Sequence, residues 1–300
     1  MNKQQKLRAV MLDWAGTTVD HGSMAPVAAL QQLFSHRGIA LSVEDARRDM
    51  GLLKWDHIHS ILALPEIRAQ WFANSGREPE AADVDSLYET FLPLQQTILG
   101  QYSQLIEGVA EVTTEWQRRG LLIGSTTGYP RALLAPVLEQ AAIGGYRPDA
   151  SVCPDEVGAG RPAPWMLTRN MQLLNVYPPS ACVKIGDTVS DIEEGLNAGM
   201  WTIGLTRTGN LVGLDAAGWA QLPADEKQQR IEKAGDILLR AGADFVAEDL
   251  AACDSILRDI EQRHAQPVLH CSGSMACPAI RHLILGPCTR AAAGGWGSCG

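Results

Sequence analysis

Short unbroken apolar runs, separated by stretches of helical period, set the pattern of this chain. Val10-Met-Leu12, Leu121-Leu-Ile-Gly-Ser125, Ala150-Ser-Val-Cys153, Ala181-Cys-Val-Lys-Ile185, Trp201-Thr-Ile-Gly-Leu205 and Ala243-Asp-Phe-Val246 are each of strand length. Runs this short and this continuously apolar predict strands buried on both faces. Between them the spacing predicts helices over 26–37, to about 49 from a capping-box-like Ser42-Val-Glu-Asp45, and over 109–119, 131–142, 165–174, 192–198, 225–241 and 249–263. Gly38, Gly120 and Gly199 close three of them, and Pro136 predicts a kink or restart in the 131–142 helix. Strands alternating with helices imply right-handed βαβ crossovers and a parallel sheet. Residues 22–105 interrupt that rhythm. They carry no strand pattern, only helical segments broken at Pro65, Gly76 and Pro79. The fold class is therefore α/β, with an all-helical block inserted after the first strand.

Composition narrows the function classes. A chain of 300 residues that is 46% apolar and 20% charged reads as an ordinary globular protein of one large or two smaller domains. A formal charge of −9 argues against nucleic acid or an anionic membrane as partner. An anionic substrate would need a local positive site built against that field. Met1-Asn-Lys-Gln-Gln-Lys-Leu-Arg8 is no secretory signal, and no run reaches the roughly 20 apolar residues of a membrane span. The expected compartment is the cytoplasm. Cys153, Cys182 and Cys253 fit small reduced core residues. From about residue 266 the chain turns Gly-, Ser- and Cys-rich without sustained periodicity, and a disordered tail is expected. A zinc site there would draw on Cys271, Cys277, Cys288, Cys299, His270 and His282. The cysteines are separated by five, ten and ten residues, which fits no common zinc module.

The candidate chemistry lies at strand ends. Asp13 ends the first strand and is followed by Gly16-Thr-Thr18; alone, it reads equally well as a turn cap or as a nucleophile. Three later loops change that balance. Thr127-Gly128 follows the second strand, Arg161 the third, and Gly186-Asp187-Thr-Val-Ser-Asp191 the fourth. In a parallel sheet all four loops meet at one edge. There they would supply a carboxylate nucleophile, a hydroxyl and amide for an anion, a fixed cation and a carboxylate pair. Phosphoryl transfer to a protein carboxylate requires that set. Asp13, Asp187 and the backbone carbonyl of Ala15 are oxygen donors suited to Mg²⁺.

This ordered set is similar to the haloacid dehalogenase superfamily over residues 7 to about 263. The resemblance implies a Rossmann-like core formed by 1–21 and 106–265, with a mobile helical cap at 22–105. Phosphatases of the superfamily usually place a second aspartate two residues after the first, as the acid that protonates an alkoxide leaving group. Here that position is Ala15. The cap offers other chemistry. Met50-Gly-Leu-Leu-Lys54-Trp-Asp-His57 carries a lysine with a histidine three residues on, on the same face if the stretch is helical. An enclosed lysine amine has a lowered pKa and can form a Schiff base with a carbonyl.

Asp13-Trp-Ala-Gly-Thr-Thr-Val-Asp20, Met50-Gly-Leu-Leu-Lys54, Gly124-Ser-Thr-Thr-Gly-Tyr129, Gly160-Arg-Pro-Ala-Pro-Trp165 and Gly186-Asp-Thr-Val-Ser-Asp191 together closely resemble the phosphonoacetaldehyde hydrolase family, the phosphonatases. The resemblance implies a small phosphonate substrate, a Lys54 imine and an aspartyl phosphate on Asp13. It assigns Mg²⁺ to Asp13, Ala15 and Asp187, the phosphonate to Thr127, Gly128 and Arg161, and a homodimer joined through the caps. Met50 is expected against the aldehyde end, Tyr129 in the pocket or the core, and His57 as a proton shuttle or a packed helix residue. Asp191 would ligate the metal or hold Lys184. Some relatives are expected to carry Cys at the hinge where this chain has Ser23. Two alternatives stay open at this point: a phosphate-ester hydrolase or mutase of the same superfamily, and a catalytically silent phosphoanion-binding protein.

Overall fold

In the computed structural model, which describes residues 6–265, β1 (Ala9–Leu12) is buried along its whole length and lies in the middle of a six-stranded sheet. The expectations for the tail fall outside the described residues. After β1 come five helices in succession: α1 (Met24–Ser35), α2 (Val43–Arg47), α3 (Lys54–Leu62), α4 (Pro65–Ser75) and α5 (Ala81–Tyr102). The alternation then resumes with α6 (Val109–Arg118), β2 (Leu122–Thr126), α7 (Arg131–Ile143), β3 (Ala150–Val152), α8 (Trp165–Leu173), β4 (Cys182–Gly186), α9 (Val189–Asn197) and β5 (Trp201–Leu205). The closing elements are α10 (Ala216–Gln221), α11 (Ala224–Arg240), β6 (Phe245–Ala247) and α12 (Cys253–Ala265).

All neighbouring strands are parallel, in the order β3-β2-β1-β4-β5-β6. Alternation along β1 divides the core. Val10 and Leu12 pack with Val109, Trp116, Leu134 and Leu257 on one face, and Ala9 and Met11 with Leu167 and Met171 on the other. Helices thus cover both faces, which is why the strands read as continuous apolar runs. The helical cap has its own apolar centre, including Leu30, Phe34, Ile61, Trp71, Leu87 and Phe91. Among the described residues no helix is long and apolar enough to cross a membrane.

Three local expectations are corrected. Helix α7 runs unbroken through Pro136, whose missing N–H removes a single bond late in the second turn. Helix α9 starts at Val189 rather than at 192, because Thr188 caps it by accepting from the Asp191 N–H while Asp191 reaches back to the Thr188 amide. The last helix starts at Cys253, not 249. Asp249 instead holds a turn by accepting from the Ala252 N–H at 2.9 Å.

Candidate active site

Strand register brings the chemistry together. Leu12 pairs with Ser125 of β2 on one side and Ile185 of β4 on the other. The next residues of all three strands therefore emerge side by side. Asp13 follows β1, Thr127 and Gly128 follow β2, and Asp187 follows β4. The loop after β3 delivers Arg161 to the same place, where its Nη2 donates to Asp13 Oδ1 at 2.7 Å.

Arg161 is locked on three sides. Its Nη1 pairs with Asp191 Oδ1 at 2.9 Å and its Nε with Glu194 Oε2 at 2.9 Å. Lys184 Nζ sits on Asp191 Oδ1 at 2.8 Å and donates to Thr126 Oγ1 at 2.9 Å. Thr126 Oγ1 in turn lies 3.0 Å from Glu194 Oε2. All these side chains are buried. Burial alone would discharge Arg161, but Asp191, Asp13 and Glu194 reverse that and hold its pKa above the usual value. Burial and the neighbouring Asp191 charge push Asp13 up to about 6, against the pull of Arg161 and Lys184. The Arg161 ion pair engages Asp13 through Oδ1.

Lys54 opens α3 and His57 lies one turn on; both are buried. Burial moves Lys54 down to about 8, with Asp13 pulling it up and Arg161 pushing it further down. Its Nζ lies 3.7 Å from Met50 Sδ and 5.9 Å from the centre of the Tyr129 ring. Neither neighbour is a carboxylate that would fix the ammonium form. His57 is driven well below its usual value by burial and by the Lys54 charge, so it is neutral. Tyr129 does both: it packs with the core of the sheet and borders, with Asp13, Ala15, Lys54, Gly128 and Arg161, a small space of about 20 Å³. That is room for roughly one water.

The cap closes directly on the core. A Cβ on Gly128 would lie 2.6 Å from the Leu52 carbonyl oxygen and 3.0 Å from that of Gly51. Ser190 Oγ donates to the Met50 carbonyl at 3.1 Å from the other side.

One oxygen each from Asp13, Asp187 and Asp191 lie within 4.8 Å of one another. Burial, Asp13 and Asp191 push Asp187 well above the carboxylate range. A hard divalent cation would relieve that repulsion, and an all-oxygen donor set fits Mg²⁺. The Asp187 oxygens accept from Thr17 Oγ1 and Ser23 Oγ, each at 3.3 Å, and from the Asn210 N–H at 2.7 Å. Ser23, at the hinge, is thus tied to Asp187. Asp191 spends Oδ1 on Arg161 and Lys184 and Oδ2 on Thr188. It anchors the two cations as well as completing the acidic cluster.

The sequence reading brought together Asp13, Lys54, Thr127, Gly128, Arg161, Asp187 and Asp191, and the fold places them at one sheet edge. It missed Glu194 and Thr126. The available signal for Glu194 was its position three residues after Asp191, one helical turn on.

A haloacid dehalogenase-like hydrolase family model matches residues 7–199. The chain belongs to the haloacid dehalogenase-like hydrolases. Within them it falls in the phosphonoacetaldehyde hydrolase family. It is 41% identical over 258 residues to the phosphonoacetaldehyde hydrolase of a Bacillus cereus strain, covering 86% of this chain and 98% of that one. The Bacillus cytotoxicus phosphonoacetaldehyde hydrolase is 42% identical over the same length and the same shares. The crystal structure of a phosphonoacetaldehyde hydrolase-like protein from Oleispira antarctica superposes with a TM-score of 0.85 at 39% identity, over 86% of this chain and 94% of that one.

Proposed function

We propose that this enzyme hydrolyses the P–C bond of phosphonoacetaldehyde, giving acetaldehyde and phosphate. The observation that carries the reading is a buried lysine amine with a lowered pKa, enclosed with Asp13 in one pocket whose usual second acid is Ala15. The names of the relatives point the same way.

Lys54 attacks the aldehyde carbon, and loss of water leaves a protonated imine. His57, one turn along α3, would carry the protons this requires. Arg161, Thr127 and the Gly128 amide hold the phosphonate oxygens in line with Asp13. Asp13 Oδ2 then bonds to phosphorus, and the electrons of the breaking P–C bond enter the iminium, leaving an enamine on Lys54. No oxygen leaving group has to be protonated, so Ala15 is no handicap. Protonation at carbon and hydrolysis release acetaldehyde and Lys54, and water cleaves the aspartyl phosphate. Mg²⁺, held by Asp13, Asp187 and the Ala15 carbonyl, would neutralise phosphonate charge. Met50 and Tyr129 border the amine without fixing its charge. A homodimer through the caps belongs to the same reading, and sedimentation tests it.

The test is phosphonoacetaldehyde with Mg²⁺, following acetaldehyde and phosphate together, with borohydride added during turnover. Equal amounts of both products, and substrate carbon fixed on Lys54, are expected. Turnover of an aryl phosphate with no adduct would overturn the proposal.

Two further results are expected. The rate of borohydride trapping should rise with pH through about 8 and then level, because only the free amine attacks and burial has brought Lys54 to that value. A rate flat between pH 6 and 9 would contradict it. Gly128→Ala should lower kcat/KM on the order of 10- to 100-fold, because the added methyl meets the Leu52 carbonyl and holds the cap off. Unchanged kinetics in that variant would mean that catalysis does not need the cap contact seen at Gly128.

A further inference from the structure

The loop after β5 is caught between the cap and the acidic cluster, and it touches both through the same residue. Arg47, the last residue of α2 in the cap, donates from Nη1 to the Gly22 carbonyl at 2.7 Å and to Asn210 Oδ1 at 3.0 Å. Its Nη2 donates to the Gly213 carbonyl at 3.1 Å. Asn210 returns a bond from Nδ2 to the Arg47 carbonyl at 3.1 Å. The same residue's backbone N–H donates to Asp187 Oδ2 at 2.7 Å. Asn210 is buried, and the packing leaves no slack on either side. A Cβ on Gly213 would lie 2.8 Å from Arg47 Nε, and one on Gly209 would lie 2.6 Å from the Asp187 Cβ. Thr208 ties this loop to the hinge, its hydroxyl donating to the Gly16 carbonyl and its own carbonyl accepting from the Gly22 N–H, both at 2.7 Å.

We propose that Arg47 and Asn210 form a latch that couples seating of the cap to placement of the Asp187 carboxylate. Arg47 is a positioning residue: it touches no reacting atom and acts through Asn210. With the cap seated, two side-chain bonds fix Asn210, and its N–H holds one Asp187 oxygen so that the other can face a cation. With the cap lifted, Arg47 leaves with it, and the 208–213 loop loses the contacts that fix Asn210. A rigid element contacted by both sites is the physical requirement for such coupling. The inference rests on the proposed role of Asp187 as a Mg²⁺ ligand.

The test uses Mg²⁺ alone, titrated calorimetrically into the substrate-free enzyme, with amide hydrogen exchange over residues 206–214. Arg47→Ala and Asn210→Ala should each weaken Mg²⁺ binding about 5- to 10-fold and speed exchange in that loop. The double variant should be no weaker than the poorer single one, because both changes cut one connection. Arg47→Lys, which keeps the charge but loses the forked geometry, should fall between. Asn210→Ala retains the backbone N–H on Asp187, so it decides the matter if Arg47→Ala fails to fold by thermal unfolding. Mg²⁺ affinity within twofold of the parent in the folded variants overturns the latch, as do losses that multiply in the double variant or a parent that takes up no Mg²⁺. A parent that binds Mg²⁺ but releases no acetaldehyde would sink the functional reading and leave this test standing.

Discussion

Lys54→Ala is expected to abolish acetaldehyde and phosphate release together, by ~10³-fold or more, and to leave no adduct under borohydride. The two products should fail in step, because without an imine the P–C bond has no electron sink and Asp13 has no leaving group to displace. Lys54→Arg should be equally inactive. A guanidinium keeps the charge but cannot become a nucleophilic amine. Stability is not expected to suffer in the alanine variant through a lost ion pair, since Lys54 has a thioether and an aromatic ring beside its amine rather than a carboxylate. What is lost is packing at the start of α3, and cavity formation is the cost to look for. Parallel assays of acetaldehyde and phosphate, with mass spectrometry of the reduced protein, check this. Residual phosphate release without acetaldehyde would mean that Asp13 operates without the imine.

Asp13→Asn should stop phosphate release by ~10⁴-fold and still permit the imine. The amide keeps the volume and can still accept from Arg161, but it cannot form the phosphate anhydride. Removal of the Asp13 charge takes away the influence that raises the Lys54 pKa. The amine should then be free at lower pH than in the parent, and trapping at pH 7 should be as fast or faster. Substrate carbon should accumulate on Lys54 with its phosphonate intact. Measuring adduct mass and free phosphate in one sample separates the two halves of the reaction. Normal phosphate release from Asp13→Asn would remove Asp13 as the nucleophile.

Much of the fold was legible because parallel strands covered on both faces must be apolar throughout, and six such runs stand out. The site was legible for a related reason. Strand ends in a parallel sheet converge, so the residues after β1, β2, β3 and β4 had to meet whatever the helices did. Side chains whose neighbours lie far away in sequence were not legible. Glu193 and Glu194 are identical residues in one helix, yet the first is exposed and the second is buried against Arg161. Only the phase of α9 relative to the sheet distinguishes them. The start of that helix was misplaced because Asp191 reads as a metal ligand, which masked its second role as the partner of the Thr188 cap. Arg47 ends a short helix and would pass for a solvated surface arginine. Its acceptors at Gly22, Asn210 and Gly213 belong to the hinge and to a loop over 160 residues away.

The space of about 20 Å³ left under the seated cap has a kinetic meaning. A pocket that admits roughly one water cannot exchange an aldehyde, a phosphate ion and bulk solvent while it stays shut. On the proposed reaction, each turnover needs the cap to move off at least twice, once for entry and once for discharge. The acyl phosphate and the enamine of that reaction both need more room than one water, so they would form with the cap held further off the core than it sits here. On that reading, the spacing of the cap from the core governs how much water reaches the covalent intermediates.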